Sequence, residues 1–260
     1  MIDHIITAAK LGGEQINKYF GEILEISRKS SLADFRTQAD LASEKAILNE
    51  LQKYFPNYNY LAEESGWKKN DSPFTFVIDP LDGTNNFSLG ISNFSVSIGL
   101  QKGDETIAGV IYNPTTHQVY YAEKGKGAYL DGIKIQTNNV SDIQNATISY
   151  VCGYDNDGTI YEDLVSGMNI RKGKRLLTNW SVALDHCLLA NGRIEAIICN
   201  GTEVYDNIAG KIIVKEAGGI ITKFNGQKEE NDENAYFIVS NNQIFHKEIV
   251  DLCSSIKNLK

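Results

Sequence analysis

The chain has 260 residues, of which 42% are hydrophobic and 22% are charged. These proportions are typical of globular proteins, so fibrous, low-complexity and wholly disordered chains are excluded. The 33 acidic residues outnumber the 25 basic ones, which gives a formal charge of −8. This charge argues against a general affinity for nucleic acid or anionic membranes, and it allows a cation-binding site.

The amino terminus and the cysteines bear on the compartment. An acid at Asp3 and the lack of a basic segment do not fit a secretory signal. No run of about 18 apolar residues predicts a transmembrane helix. The cysteines lack CxxC spacing, which disfavours disulfide and zinc frameworks, and Cys187 and Cys199 are expected in the core. We expect a soluble protein of the reducing cytoplasm.

The first part of the chain predicts two helices joined by a polar connection. Apolar residues at helical spacing predict a helix over 3–20, although two glycines weaken it, and a second over 40–54, ended by Pro56. Residues 25–37, which include Arg28 and Lys29, predict a mobile or hairpin connection.

The middle of the chain predicts an antiparallel meander, and the last part mixes strands with helices. The meander strands are predicted over 75–78, 94–100, 107–112 and 119–122. Later strands are predicted over 147–151, 194–198, 220–224 and 237–240, and helices over 181–190, 207–217 and 242–256. No linker or repeat divides the chain, so the halves 1–140 and 141–260 are expected to form one compact unit.

Acidic residues follow apolar segments or open helices at four places. Asp79 and Asp82 follow an apolar strand, Glu63 follows a helix and a proline turn, and Asp40 and Asp206 begin predicted helices. Each place also has an ordinary structural interpretation: an Asp-Pro or Asp-Gly turn, a solvated loop, or an acid at a helix N-terminus. The residues alone leave both readings open.

Asp79 and Asp82 are the sharpest pair. Two carboxylates brought together by one turn repel each other unless a cation or a proton lies between them. Carboxylates and a backbone carbonyl such as that of Leu81 form the hard oxygen set that suits Mg²⁺, and no His or Cys lies nearby to favour zinc. Gly83 lets the backbone approach a ligand, and the amides after it, at a predicted helix start, would point at an anion.

The order of these segments resembles the inositol monophosphatase family of lithium-sensitive, magnesium-dependent phosphatases. Residues 79–87, DPLDGTNNF, match its signature Asp-Pro-Ile/Leu-Asp-Gly-Thr-Thr/Asn-Asn-Phe without a break. Residues 37–40 match Thr-x-x-Asp, residues 62–65 match Gly-Glu-Glu-Ser with alanine for glycine, and residues 205–219 resemble the second signature. The resemblance spans most of the chain. It implies an α+β or α/β chain with an inositol monophosphatase-like αβαβα layered sandwich, commonly a homodimer.

The resemblance implies a Mg²⁺-dependent phosphomonoesterase that hydrolyses a small phosphorylated alcohol, such as inositol-1-phosphate, by attack of a metal-activated water. Thr84, hydrogen-bonded to Asp40, would orient that water and help to deprotonate it. The implied ligands of two or three Mg²⁺ ions are Glu63, Asp79, the Leu81 carbonyl, Asp82 and Asp206. The implied substrate contacts are Gly83, Thr84, Trp180, Ser181, Val182 and Asp206.

Departures from the family pattern concern the substrate mouth. Cys199 stands where members that hydrolyse inositol phosphates carry a glutamate, and Tyr205 stands for a tryptophan. Trp180 and Val182 are bulkier than the family's Gly-Ser/Thr-Ala. Fructose-1,6-bisphosphate, NADP, histidinol phosphate or adenosine 3',5'-bisphosphate therefore stay open as substrates, as does a non-catalytic metal-binding role. The basic residues of 171–175 suit a solvated loop or a second phosphate. The residues expected to be structural are His4, His117, His186 and His246.

Overall fold

The structure is a computed structural model that describes residues 1–22, 26–28, 35–154, 158–256 and 259. Its helices are α1 (Ile2–Asn17), α2 (Gln38–Tyr54), α3 (Thr84–Ser88), α4 (Thr159–Ile170), α5 (Val182–Ala190), α6 (Val204–Glu216) and α7 (Gln243–Ser254). Over the described ranges, every helix falls short of the length and apolar character needed to cross a bilayer.

The strands follow one another closely along the chain. The first ten are β1 (Ile26–Arg28), β2 (Phe35–Thr37), β3 (Asn59–Ala62), β4 (Gly66–Lys68), β5 (Phe74–Asp82), β6 (Ser95–Lys102), β7 (Glu105–Asn113), β8 (Gln118–Glu123), β9 (Gly127–Leu130) and β10 (Ile133–Ile135). The last five are β11 (Thr147–Cys152), β12 (Arg175–Leu177), β13 (Ala196–Asn200), β14 (Ile220–Thr222) and β15 (Tyr236–Ser240).

Two mixed sheets form the body of the fold. The larger has eight strands in the order β10-β9-β8-β7-β6-β5-β3-β4, antiparallel except for the parallel pair β3 and β5. The smaller has five strands in the order β12-β11-β13-β15-β14, with β11 parallel to both of its neighbours. A separate two-stranded ribbon joins β1 to β2.

Three clusters of buried apolar side chains show how the layers stack. The first joins α1 and α2 to the larger sheet, and the second fills the space between the sheets with α5 and α6. The third joins α4 and α7 to the outer face of the smaller sheet. Neighbours on β13 alternate accordingly, with Ile197 in the second cluster and Ile198 in the third. The result is the expected αβαβα layered sandwich.

Helix α6 approaches the larger sheet closely because that sheet carries glycine beneath it. A side-chain carbon at Gly109 on β7 would come within 2.7 Å of the Ala209 carbonyl oxygen and 2.8 Å of the Ala209 Cα. Any larger residue at Gly109 would push α6 away from the sheet. The close packing fixes where the first turn of α6, which contains Asp206, meets the end of β5.

Most predicted elements are confirmed within a few residues, including both early helices, the meander and the last helix. The connection over 25–37 contains the hairpin pairing of β1 with β2, while Lys29, Ser30 and Ser31 lie outside the described residues. The Asp-Pro pair predicted as a turn instead continues β5 to Asp82. The boundary proposed near residue 140 falls between β10 and β11, and the division into halves stays a prediction.

Candidate active site

Asp79 and Asp82 lie at the carboxyl end of β5, inside the larger sheet. Asp79 pairs with Ser97 of β6 and Asp82 pairs with Ser95, and the register shifts between the two pairs. Three steps along β5 therefore face two along β6, which is a bulge, and Pro80, which has no N–H to donate, occupies it. Bulges re-aim side chains, so this one delivers two carboxylates to one place.

The bulge is held by hydrogen bonds to its own backbone. The Ser43 hydroxyl on α2 donates to the Pro80 carbonyl at 2.8 Å. The Leu81 N–H donates to the Asp79 carboxylate at 2.9 Å. Asp79 and Asp82 are 2% and 6% exposed, so both carboxylates are fixed inside the protein.

Gly83 and Thr84 turn the chain into the short helix α3. Gly83 has a φ of 89°, and a side-chain carbon there would lie 2.8 Å from the Asn93 carbonyl oxygen. The Thr84 hydroxyl oxygen lies 2.9 Å from the Leu81 carbonyl oxygen and 3.2 Å from Asp40 Oδ1. The hydroxyl has one hydrogen, so it can donate to only one of these two acceptors at a time.

Asp40 stands fully buried in the first turn of α2. Its Oδ2 accepts hydrogen bonds from the Thr37 N–H at 2.8 Å and the Thr37 hydroxyl at 2.6 Å. Burial raises the pKa of Asp40 to about 7 although Thr37 favours the charged form. The predicted contact with Thr84 is present, and it uses the other carboxylate oxygen.

Glu63 reaches Asp79 because β3 runs parallel to β5 and its last residue, Ala62, pairs with Ile78, so that each acid is the next residue along its chain. The Glu63 N–H donates to the Ile78 carbonyl at 3.1 Å, just past the end of β3. Burial raises the pKa of Asp79 well above its ordinary value, and the charges of Glu63, Asp206 and Asp82 raise it further. A hydrogen bond between Asp79 and Glu63 favours a shared proton.

Asp206 and Asp82 extend this acidic group toward α6. The Glu203 N–H donates to Asp206 Oδ2 at 2.9 Å, which holds Asp206 in the first turn of the helix. Burial raises the pKa of Asp206 well above its ordinary value, with further contributions from the charges of Asp82 and Glu63. Burial raises the pKa of Asp82 to about 7, although the hydroxyls of Ser95, at 3.1 Å, and Ser181 donate to it.

The chemistry of this group fits a divalent cation. Within the described ranges, no ion pair involves Asp79, Asp82 or Asp206. Like charges that share a buried site without a cation of the protein must take up protons or bind an ion. In the described part of the chain, no three His, Cys, Asp or Glu side chains are arranged so that they could hold one metal ion as they stand. Simultaneous ligation by Glu63, Asp79, Asp82 and Asp206 therefore stays a prediction.

The predicted substrate contacts differ in exposure. Ser181 is buried, and its hydroxyl donates to Asp82. Val182 begins α5 and packs in the cluster between the sheets. Trp180 is 49% exposed and has a φ of 54°, a conformation that costs a bulky residue about 1–3 kcal/mol and that is found mostly where the surroundings enforce it. Of these three residues, only Trp180 offers a large accessible side chain.

An asparagine clamp, formed by Asn86, Asn93 and Asn179, holds the loop before α5. The side-chain amide of Asn86 donates to the carbonyls of Asn179 at 2.8 Å and Trp180 at 3.2 Å, and the Asn93 amide donates to the Asn179 carbonyl at 3.0 Å. The Asn179 amide in turn donates to the buried carboxylate of Asp185 at 2.6 Å. Sequence reasoning did not identify these roles, because Asn86 and Asn179 are 93 positions apart in the chain and no local pattern connects them.

Two departures from the family pattern, Cys199 and Tyr205, differ in their burial. Cys199 is 0% exposed, and its Sγ lies 3.1 Å from the Thr202 hydroxyl and 3.6 Å from the Ala235 carbonyl. Burial raises the pKa of Cys199 to about 12, so it is a core thiol, as predicted. Tyr205 is half-buried, and its carbonyl accepts from the Ser97 hydroxyl at 3.3 Å.

Comparisons with known proteins identify the family and fold of the chain. The inositol monophosphatase family profile matches residues 1–258. The chain is 31% identical over 255 residues to a fructose-1,6-bisphosphatase/inositol-1-monophosphatase of Thermotoga maritima, covering 98% of this chain and 96% of that protein. It is 31% identical over 258 residues to an inositol-1-monophosphatase of Mesorhizobium japonicum, covering 96% and 94%.

A solved structure extends the likeness to three dimensions. The extragenic suppressor protein SuhB of Bartonella henselae superposes with a TM-score of 0.90 at 29% identity, and the match covers 97% of each chain. The family match over nearly the whole chain, the shared fold and the DPLDGTNNF segment at the end of β5 agree with one another. The chain therefore belongs to the inositol monophosphatase family.

Proposed function

We propose that this chain is a magnesium-dependent phosphomonoesterase that hydrolyses a small phosphorylated alcohol. The observation that carries the proposal is the group of carboxylates at the end of β5, whose pKa values are raised by burial and, for Asp79 and Asp206, by the charges of the other carboxylates. Such a group repels a phosphate ester unless cations neutralise it. A site of this charge therefore suits an anionic substrate only together with a metal.

The residues that would hold two or three Mg²⁺ ions are Glu63, Asp79, Asp82, Asp206 and the carbonyl of Leu81. Oxygen ligands of this kind suit Mg²⁺, which prefers carboxylates and keeps several waters. When bound, Mg²⁺ supplies positive charge for the phosphoryl oxygens and lowers the pKa of water.

Thr84 and Asp40 supply the protein's own proton chemistry. When the Thr84 hydroxyl donates to Asp40, its lone pair is left to accept a hydrogen bond from a water beside the phosphate. Asp40 has a pKa near 7, so it can take up a proton at neutral pH. Thr37 and the α2 backbone hold the carboxylate in place for that transfer.

The names of the relatives support the substrate class. Fructose-1,6-bisphosphate and inositol-1-phosphate are the esters named for the Thermotoga maritima protein, and inositol-1-phosphate for the Mesorhizobium japonicum protein. We propose esters of this kind for the chain. On the same family basis we propose inhibition by Li⁺, a homodimer and a cytoplasmic location.

Phosphate release tests the proposal directly. The wild-type protein is assayed with Mg²⁺ and with EDTA on inositol-1-phosphate, fructose-1,6-bisphosphate, histidinol phosphate, NADP and adenosine 3',5'-bisphosphate. Asp82→Asn should abolish Mg²⁺-dependent release, and the matched control Asp163→Asn, at an exposed position of α4, should retain it. Silence on every ester, together with a Mg²⁺-induced rise in melting temperature, would instead favour the non-catalytic metal-binding alternative.

A further inference from the structure

Two exposed aromatic side chains stand together at the edge of the candidate active site. Trp180 is 49% exposed and Tyr154 is 47% exposed, and their ring centroids lie 6.3 Å apart at an angle of 40°. Trp180 precedes Ser181, whose hydroxyl donates to Asp82. The amide of Asn85, the residue after Thr84, donates to the Tyr154 hydroxyl at 3.3 Å. We call Tyr154 and Trp180 the aromatic wall.

The backbone at Trp180 is held in place by hydrogen bonds from buried and part-buried side chains. The asparagine clamp fixes the carbonyls of Asn179 and Trp180, and Asp185 fixes the side chain of Asn179. A solvent-facing ring that only covers a surface needs no such support. Backbone strain that is held by its surroundings is typical of ligand-binding positions, and here it fixes Trp180 next to Ser181, whose hydroxyl donates to Asp82.

The wall has aromatic faces where a polyol would need many hydrogen-bond partners. A sugar or polyol presents hydroxyls whose transfer out of water costs free energy unless each finds a partner. Cys199, which stands where the family pattern places a carboxylate, is buried and turned toward Thr202 and Ala235. A flat ring, in contrast, stacks on Trp and Tyr through its face and needs no such partners.

We propose that the aromatic wall binds an aromatic ring on the alcohol portion of the substrate, so that the preferred esters are phosphomonoesters of aryl-bearing alcohols or nucleosides. This proposal rests on the proposed phosphatase function. It narrows that function by placing Trp180 and Tyr154 as specificity-determining residues, so that inositol phosphate is still hydrolysed but with a lower kcat/KM than the aromatic esters.

Binding can be measured without catalysis because the chain has two tryptophans, Trp67 and Trp180. Trp67 is 55% exposed on β4, an edge strand of the larger sheet, and Trp67→Phe leaves Trp180 as the single tryptophan. Adenosine and 2-phenylethanol, added with Mg²⁺ and inorganic phosphate, should quench its fluorescence saturably, whereas inositol should not. Tyr154→Ala should weaken that quenching. An emission unchanged by either aromatic alcohol would overturn the wall even if the protein is an active phosphatase.

Kinetics on matched esters then tests selectivity. The substrates are 2-phenylethyl phosphate, adenosine 2'-monophosphate and glycerol 2-phosphate, all esters of aliphatic hydroxyls. Since stacking of a base on an aromatic side chain is worth about 1–3 kcal/mol, Trp180→Ala should cost the aromatic esters about tenfold more in kcat/KM than glycerol 2-phosphate, mainly through KM. Trp180→Phe should keep most of the preference.

The other outcomes show which kind of ring is recognised, or contradict the proposal. A preference confined to the adenosine ester identifies a nucleobase, and a preference shared with the phenyl ester identifies any aryl ring. An equal loss on all three esters would make Trp180 a positioning residue only, and an equal gain would make it a barrier; either result contradicts the proposal. If no ester is hydrolysed at all, the proposed function fails, and the fluorescence titration still decides the wall.

Discussion

Helix α6 carries a half-buried carboxylate, Asp206, and a buried ammonium group, Lys211, which differ in the charges around them. Asp206, in its first turn, joins Asp79, Asp82 and Glu63 in a group of one sign. Lys211, farther along the helix, is 0% exposed, but its Nζ lies 2.8 Å from Glu229 Oε1 and 2.9 Å from the Asn234 carbonyl.

The Lys211 group is balanced by the chain itself. Its Nζ also stands 3.9 Å from the centroid of the Phe237 ring. Burial lowers the pKa of Lys211, and the Glu229 charge opposes this shift. Among the ion pairs of the described residues, none involves Asp79, Asp82 or Asp206. The comparison indicates that the Lys211 group is structural, and it supports the proposal that the carboxylate group takes a cation from solution.

The largest expected effect is a loss of activity when one carboxylate of the acidic group is replaced. Asp79→Asn should lower kcat/KM for phosphate release by at least about a thousandfold, because a lost ligand removes several kcal/mol of charge stabilisation. Steady-state kinetics with saturating Mg²⁺ measures the loss, and circular dichroism checks the fold. The exposed control Asp163→Asn should differ little from wild type. Near-normal activity of the Asp79 variant would contradict the metal assignment.

The balanced group should respond in stability instead. Lys211→Met leaves Glu229 buried without its cation, so the free energy of unfolding should fall by about 3–5 kcal/mol. Urea denaturation measures the change. The double variant Lys211→Met with Glu229→Gln should recover part of the loss, because no uncompensated charge is left. A single variant as stable as wild type would show that the pair adds nothing to the fold.

Acid should destabilise the protein through His186, which faces the same helix. Burial lowers the pKa of His186 to about 4, with a contribution from Lys211. Because the unfolded chain binds the proton near pH 6.5, stability should be lost as pH falls from about 6.5 to about 4, by about 2–3 kcal/mol. His186→Leu should flatten this part of the curve in urea denaturation at several pH values. An unchanged slope would mean that the pKa of His186 is the same in the folded and unfolded states.

The smallest expected effect is on the stability of the protein when the acidic group has no metal and loses one carboxylate. Because the pKa of Asp79 is raised by folding, its ionisation costs stability increasingly as pH rises above the ordinary value of about 3.9, and this cost shrinks as pH falls back toward that value. In EDTA at pH 8, the free energy of unfolding of Asp79→Asn should therefore exceed that of wild type by about 1–2 kcal/mol. The gain should shrink at pH 5. A destabilised variant at pH 8 would indicate that the carboxylates are compensated within the protein.

The sequence located the acidic group better than its surroundings. Asp79, Asp82 and Thr84 lie in one continuous segment, and Asp40 and Asp206 open helices with recognisable periodicity. The bulge at Pro80 was expected to be a turn, because a proline after an aspartate has the same local signal in either structure.

Other features depend on contacts that local patterns do not encode. The asparagine clamp joins residues that are far apart in the chain, and asparagine is a common loop residue. Helix α4 went unpredicted although Ile160, Leu164 and Met168 repeat at helical spacing. It begins after Gly158 and contains Gly167, and both glycines weaken the local helical signal.

Trp180 and Ser181 are consecutive, yet the first faces solvent and the second donates its hydroxyl to Asp82. An effort to change substrate range in this enzyme class can therefore exchange the indole for other side chains while the next residue keeps its register. Insertions or deletions in the same loop would move the serine off the aspartate. Diversification of the chain at this place should proceed by replacement rather than by changes in loop length.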